Sequence, residues 1–150
     1  MPAPVTLLVH GGAGTLTRAN LSPAQELEYR DALGQALRAG QSLLLRGASA
    51  VDAVVAAVSV LEDCPLFNAG KGSVFTHEGR NEMDAAVMDG ATGQAGAVAG
   101  VVSVRNPVLA AQSVMQRSGH VLLIGQGAEA FAQSQGLAME GPESVHTAHR

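Results

Sequence analysis

The sequence predicts a single mixed α/β (α+β) domain. Three observations carry that expectation. Ser22-Pro23-Ala24-Gln25 opens a long stretch of helical period, Met83 to Asp89 and Gln94 to Val104 read as two strands about a tight turn, and an unusually long irregular stretch lies between these regions. A chain of 150 residues is long enough to bury one sizeable core.

Val5-Thr6-Leu7-Leu8-Val9 is an apolar run that reads as a buried strand, ending at the glycine-rich turn His10-Gly11-Gly12-Ala13-Gly14. Ser22 then supplies an N-cap, Pro23 the first helical position and Gln25 the capping-box partner, so a helix is expected from about Pro23 to Leu45, stopping at Gly47. Leu27, Ala32, Leu33, Ala36, Leu37, Leu43 and Leu44 supply its apolar face. Ser49 caps a second helix, with Asp52 at its third position and Val51, Val54, Val55, Val58 and Leu61 at helical spacing as core packing. Met83 to Asp89 forms a strand closed by Gly90-Ala91-Thr92-Gly93, and Gln94 to Val104 returns antiparallel to it. Asn106-Pro107 opens a helix through about Arg117 that Gly119 closes. A strand over Val121 to Ile124 and a helix from about Ala128 to Gln135, stopped by Gly136, complete the regular structure. Residues 1–137 are thus the folded portion, and 138–150 read as a polar tail or the start of a linker.

The stretch from Leu61 to Gly90 is the centre of the pattern. It leaves the second helix, breaks at Cys64-Pro65, passes Gly70 and Gly72, and regains regular structure near Met83. Most connections in compact domains are about 4 to 6 residues, so a loop of this length points to function. Pro65 fixes φ and the glycines permit φ > 0, which lets the backbone coil and turn several carbonyls inward. A ring of carbonyl oxygens suits a hard cation.

Composition excludes several classes. With 47% hydrophobic and 15% charged residues the chain is no disordered segment, and its apolar runs are too short to cross a bilayer. Nine basic against thirteen acidic residues, without a basic cluster, argue against a nucleic-acid partner. No signal peptide is visible in Met1-Pro2-Ala3-Pro4, so a soluble cytoplasmic protein is expected. A single cysteine, Cys64, excludes an internal disulfide and a zinc cluster built from cysteines. Without Trp, and with one Tyr, three Phe and 18 Gly, the core must use small aliphatic side chains and close backbone approaches. Such a core is easier to understand if a second chain helps to cover it.

Four features fail as sites of another chemistry. No lysine follows the HGGAG glycines at the spacing a phosphate loop needs. Strand, Gly125-Gln126-Gly127-Ala128-Glu129-Ala130, then helix imitates a dinucleotide fingerprint, yet only a polar tail follows Gly136 where a strand with a terminal acidic residue is required. Asp84 and Asp89 have an odd spacing on one strand, which points them to opposite faces and makes them anchors for turns or partner contacts. Cys64 reads as a packed thiol whose carbonyl matters more than its sulfur.

Read in succession, HGGAG, SAVDAV, CPLFNAGKGSVFT, EMDAAVMDG, AGAVAGV and RNPVLAAQSVM resemble the plant-type asparaginases, also called isoaspartyl peptidases, of the N-terminal nucleophile hydrolases. The resemblance covers nearly the whole chain in order. It implies a four-layer αββα sandwich of which this chain is the α-subunit part, produced when a precursor cuts itself into α and β chains. It also implies that the catalytic threonine begins the β subunit, that the active unit is an αβ heterodimer doubled to (αβ)2, and that the substrate is L-asparagine or a β-aspartyl dipeptide.

Thr6, Thr15, Thr17, Thr76, Thr92 and Thr147 do not match the family position, so no catalytic nucleophile is expected in this chain. By the same resemblance Asn68 reaches the nucleophile's neighbourhood, and His10, Gly11 and Gly12 form the turn near the scissile bond. Main-chain oxygens of Leu61, Glu62, Cys64, Phe67, Ala69 and Lys71 would surround a structural sodium ion, with no organic cofactor. A non-catalytic binding or assembly subunit of the same fold is the second reading, and a nucleotide-binding domain using Gly125 and Gly127 the third.

Overall fold

The computed structural model describes residues 4–13 and 17–141. Its order is α1 (Pro23–Leu45), α2 (Ala50–Glu62), β1 (Met83–Met88), β2 (Ala95–Val101), α3 (Pro107–Arg117), β3 (Leu122–Ile124) and α4 (Gly125–Ser134), with 3-10 turns at Arg18–Asn20 and Gly70–Gly72. Among the described residues the strands form one three-stranded sheet, β1-β2-β3, antiparallel between β1 and β2 and parallel between β2 and β3. The mixed α/β class is therefore as expected. The α3 crossover that makes β3 parallel to β2 is not anticipated from the sequence.

Local chemistry sets the helix ends. Ser22 Oγ accepts from Gln25 N while Gln25 Oε1 accepts from Ser22 N, a complete capping box, and Pro23 fills the first helical position. Ser49 caps α2 through Asp52 N. The buried stripe of α1 is Ala32, Ala36 and Gly40. A Cβ at Gly40 would stand 2.6 Å from Ala53 O of α2, so α1 and α2 meet almost backbone to backbone. Leu27, expected on that face, is instead 68% exposed, because the small-residue stripe rather than the leucines makes the contact.

The sheet packs one face on the helices. Met83, Val98, Val101, Ala110, Val114, Ala128 and Ala132 form one buried cluster, and Val51, Val55, Val87, Val108 and Ala111 join α2, β1 and α3 in another. Gly96 permits close contact with α3, since a Cβ there would collide with Ala111 O and Met115 N. A bulge shifts the β1–β2 register between Met83 and Ala85; Gly100 sits there with φ +62, and Asp84 Oδ1 accepts its N–H at 2.8 Å. Asp89 holds the hairpin turn through Ala91 N and Thr92 Oγ1. Asp89 thus anchors a turn, whereas Asp84 anchors the bulge between β1 and β2.

The structure departs from further expectations, and Val54, expected in the core, is 37% exposed. Val5 to Val9 is extended but joins no strand among the described residues; Val5 is 55% and Leu8 86% exposed, while Leu7 and Val9 lean on the helices. A run of apolar residues fixes an extended chain, but a strand needs a partner edge, and the described residues supply none. Helix α4 starts at Gly125, not Ala128; Gly125 enters it with φ +50 and Gly127 lies in its first turn. Asn106 occupies the N-cap of α3 without making a side-chain cap bond. Finally, the supposed tail begins by pairing: Met139 bridges Val104, Glu140 N donates to Ser103 O, and Arg105 pairs with Glu140. Residues 142–150 lie outside the described residues. No described helix is long and apolar enough to cross a membrane.

Candidate functional site

The loop after α2 is built from main-chain contacts. Its path turns at Gly70, with φ +48, where a Cβ would collide with Glu62 O; a Cβ at Gly72 would collide with Phe67 O and stand 2.7 Å from Pro65 O. Carbonyl oxygens of three residues thus crowd two glycines, which is possible only because those positions lack side chains. Leu61 O and Ala69 O also accept local N–H groups from Cys64 and Gly72. Leu61, Glu62 and Phe67 are buried, Cys64 and Ala69 half-buried, and Asn68 and Lys71 exposed. Among the described residues no group of three or more His, Cys, Asp and Glu side chains could hold a metal. Main-chain oxygens are uncharged hard donors, the type that suits a hard cation rather than a soft metal.

The glycine turn sits against this loop. A Cβ at Gly11 would meet Phe67 Cε1 at 2.9 Å and Leu33 Cδ2 at 3.3 Å, so only glycine lets the turn rest on the ring. Phe67 in turn meets Tyr29 edge to face, with ring centroids 5.7 Å apart. His10 Nδ1 accepts from Gly12 N at 3.1 Å and closes the turn on itself; Gly12 has φ +100. His10 and Leu61 line one shallow cleft of about 110 Å³ with Val54, Val58 and the Leu7–Val9 segment. The two stretches singled out in the sequence are therefore neighbours in space.

Asn68, the residue after Phe67, is exposed, and its Oδ1 accepts from Val74 N at 2.9 Å. That bond uses the acceptor end and leaves the Nδ2 end as a donor.

Two polar residues matter beyond what the sequence suggests. Glu62 contributes its side chain as well as its carbonyl: Oε1 accepts from Val108 N at 2.9 Å, at the second position of α3, and so provides the cap that Asn106 does not. Burial pushes its carboxyl up to about 7, with the bond from Val108 and the Asn106 amide opposing the rise and neighbouring Asp63 adding to it. Its Oε2 is buried without a hydrogen-bond partner among the described residues. The second residue is Asn81, buried beside the same loop. Continuing the inward alternation of β1 backwards from Met83 would have placed it inside. No sequence signal reveals the role of Glu62, whose partner lies 46 residues further on.

The chain is a mixed α/β fold whose glycine turn rests on Phe67 of the loop after α2, and comparison with known proteins supplies the family. The chain belongs to the asparaginase family, whose model matches residues 3–150. It is 55% identical over 144 residues to a protein named isoaspartyl peptidase from Salmonella typhimurium, covering 96% of this chain and 46% of the relative. To the isoaspartyl peptidase of Escherichia coli K12 it is 53% identical, covering 96% and 45%. To the plant-type L-asparaginase of Pyrococcus furiosus it is 49% identical over 138 residues, covering 92% and 44%. The chain spans about half the length of the curated relatives it matches.

Proposed function

We propose that this chain is the α subunit of a self-processed threonine amidohydrolase that hydrolyses L-asparagine, β-aspartyl dipeptides, or both. Its relatives carry both names, isoaspartyl peptidase and plant-type L-asparaginase. The observation that carries the reading is the match, at about half identity, to slightly less than half of each relative. The uncovered outer face of the sheet, with Met88 63%, Leu122 53% and Ile124 66% exposed, supports a missing layer. In the completed four-layer αββα sandwich that face is covered by the β subunit of the same precursor, and two αβ units pair as (αβ)2.

The chemistry explains the division. A threonine hydroxyl is a weak nucleophile at neutral pH, whereas an N-terminal threonine has its own α-amine, of pKa near about 8, as the base. Cleavage of the preceding peptide bond creates that amine. The hydroxyl oxygen attacks the side-chain amide carbonyl, its proton passes through the amine to the leaving ammonia or peptide amine, and an ester remains. Water then hydrolyses the ester to aspartate.

In this scheme the present chain supports rather than attacks. Asn68 directs its Nδ2 donor towards the nucleophile while Val74 holds its other end, and His10, Gly11 and Gly12 keep the turn seated on Phe67. The carbonyls of Leu61, Glu62, Cys64, Phe67, Ala69 and Lys71 would hold sodium, which when bound supplies structural bracing to the loop and takes no part in the reaction.

Expression of the full-length precursor, followed by intact mass and N-terminal sequencing, tests the reading. Two chains, the second beginning with Thr, together with release of ammonia from asparagine or of aspartate from a β-aspartyl dipeptide, are expected. A homogeneous uncut chain without hydrolysis would overturn it and leave a binding or assembly role.

A further inference from the structure

Asn81 stands outside every role assigned so far. It is 3% exposed and precedes β1, where the inward alternation runs on through Met83 and Val87. Its Nδ2 donates to Ser73 O at 2.7 Å and to Ser73 Oγ at 3.2 Å, and approaches Val74 O at 3.4 Å. Three acceptors at one end fix the orientation of the amide, since its carbonyl placed there would face oxygen on each side. The other end, Oδ1, is buried without a partner among the described residues. A bridge between Phe75 and Asn81 closes the same segment into a narrow loop.

The clamped segment is the one that holds Asn68. Val74 N–H donates to Asn68 Oδ1 at 2.9 Å, so the Asn81 amide, the 73–74 backbone and the Asn68 amide form one relay. Asn68 itself is exposed, and an exposed amide is free to rotate unless one end is fixed. We propose that Asn81 is a positioning residue for Asn68: by anchoring Ser73 and Val74 it holds Asn68 Oδ1 and thereby aims Asn68 Nδ2 into the site. This rests on the reading that Asn68 faces the nucleophile. Loss of the Asn81 amide leaves Ser73 O without its buried donor and releases the Val74 N–H from its fixed place.

The test is a double-mutant cycle in the full-length, self-processed protein, with L-asparagine and a β-aspartyl dipeptide as substrates. Asn81→Ala should lower kcat by roughly 10- to 100-fold, the range for a misplaced group near the chemistry, with KM changed less than about twofold. Asn81→Ser, which retains a small donor beside Ser73 O, should recover part of the loss. In an Asn68→Ala background the Asn81→Ala change should cost no further kcat, because the group it aims is already gone. Losses that multiply in the double variant would overturn the proposal, as would an unchanged kcat in Asn81→Ala where Asn68→Ala is impaired. An unchanged kcat in Asn68→Ala would instead remove the placing of Asn68 itself. Should Asn81→Ala fail to assemble, Asn81→Ser carries the same cycle.

Discussion

Gly70 shows how strongly one position shapes the site. It combines φ +48 with a Cβ direction blocked by Glu62 O, so a side chain there meets two penalties at once. Gly70→Ala should therefore destabilise the assembled protein by about 2 to 5 kcal/mol, the left-handed and overpacking costs together. Gly79 is the control: its φ is +74 but nothing lies within 4 Å of its Cβ direction, so Gly79→Ala should lose only about 1 to 2 kcal/mol. Urea unfolding of both variants measures the difference, and equal losses would mean that the carbonyl crowding is unimportant. The cation proposed for the loop makes a second expectation: exchanging sodium for choline lowers the Tm of the native protein, and Gly70→Ala blunts the change. These glycines are legible in the sequence because a turn rich in glycine announces itself. What each one touches is not, since Phe67 O and Glu62 O arrive only once the loop has closed.

At the level of elements, the side chain of Glu62 joins the end of α2 to the start of α3. Its folded pKa of about 7 lies above the ordinary 4.5, so the folded chain keeps a proton that the unfolded chain releases. The contribution to stability is fully present below pH 4.5 and is lost as pH rises through about 7. A shift of this size is worth on the order of 3 kcal/mol. Glu62→Gln keeps an acceptor for Val108 N and cannot ionise, so it should become progressively more stable than the native protein between those pH values, with sodium held constant. Parallel stability curves would sink the assignment. The boundaries of α1 were readable because Ser22, Pro23 and Gln25 act within one turn of each other. The α3 cap was not, because the oxygen that serves it comes from a distant carboxyl. Likewise Val5 to Val9 has a strand's composition, but composition cannot supply the neighbouring edge.

For the whole molecule, the outer face of the sheet is the feature that a lone chain does not explain. Pairing places Ala86, Ala97 and Leu122 in one row and Ala99 and Ile124 in the next, with Met88 opposite Ala95. An antiparallel sheet with one solvated face ordinarily turns polar residues outward, and here Asp84 is the charged exception among small and aliphatic side chains. Val121, beside β3, is also 64% exposed. Contiguous apolar surface of this kind marks an interface, and the alanines would let a second sheet approach closely. Leu122→Lys combined with Ile124→Lys separates the two environments. On the isolated chain the substitutions replace exposed apolar groups and should cost no more than about 0.5 kcal/mol each while reducing its self-association. In the full-length precursor each should forfeit about 1.5 to 3 kcal/mol of apolar burial, with the desolvation of a lysine added. Self-cleavage and hydrolysis would then fail even though every residue assigned to the site is intact. Size-exclusion chromatography of the isolated chain and the chain pattern of the precursor read the two arms. A near-neutral effect on the isolated chain together with failure of the precursor places the β subunit on this face, whereas a precursor that still cuts itself and assembles would leave the face exposed and the partner elsewhere.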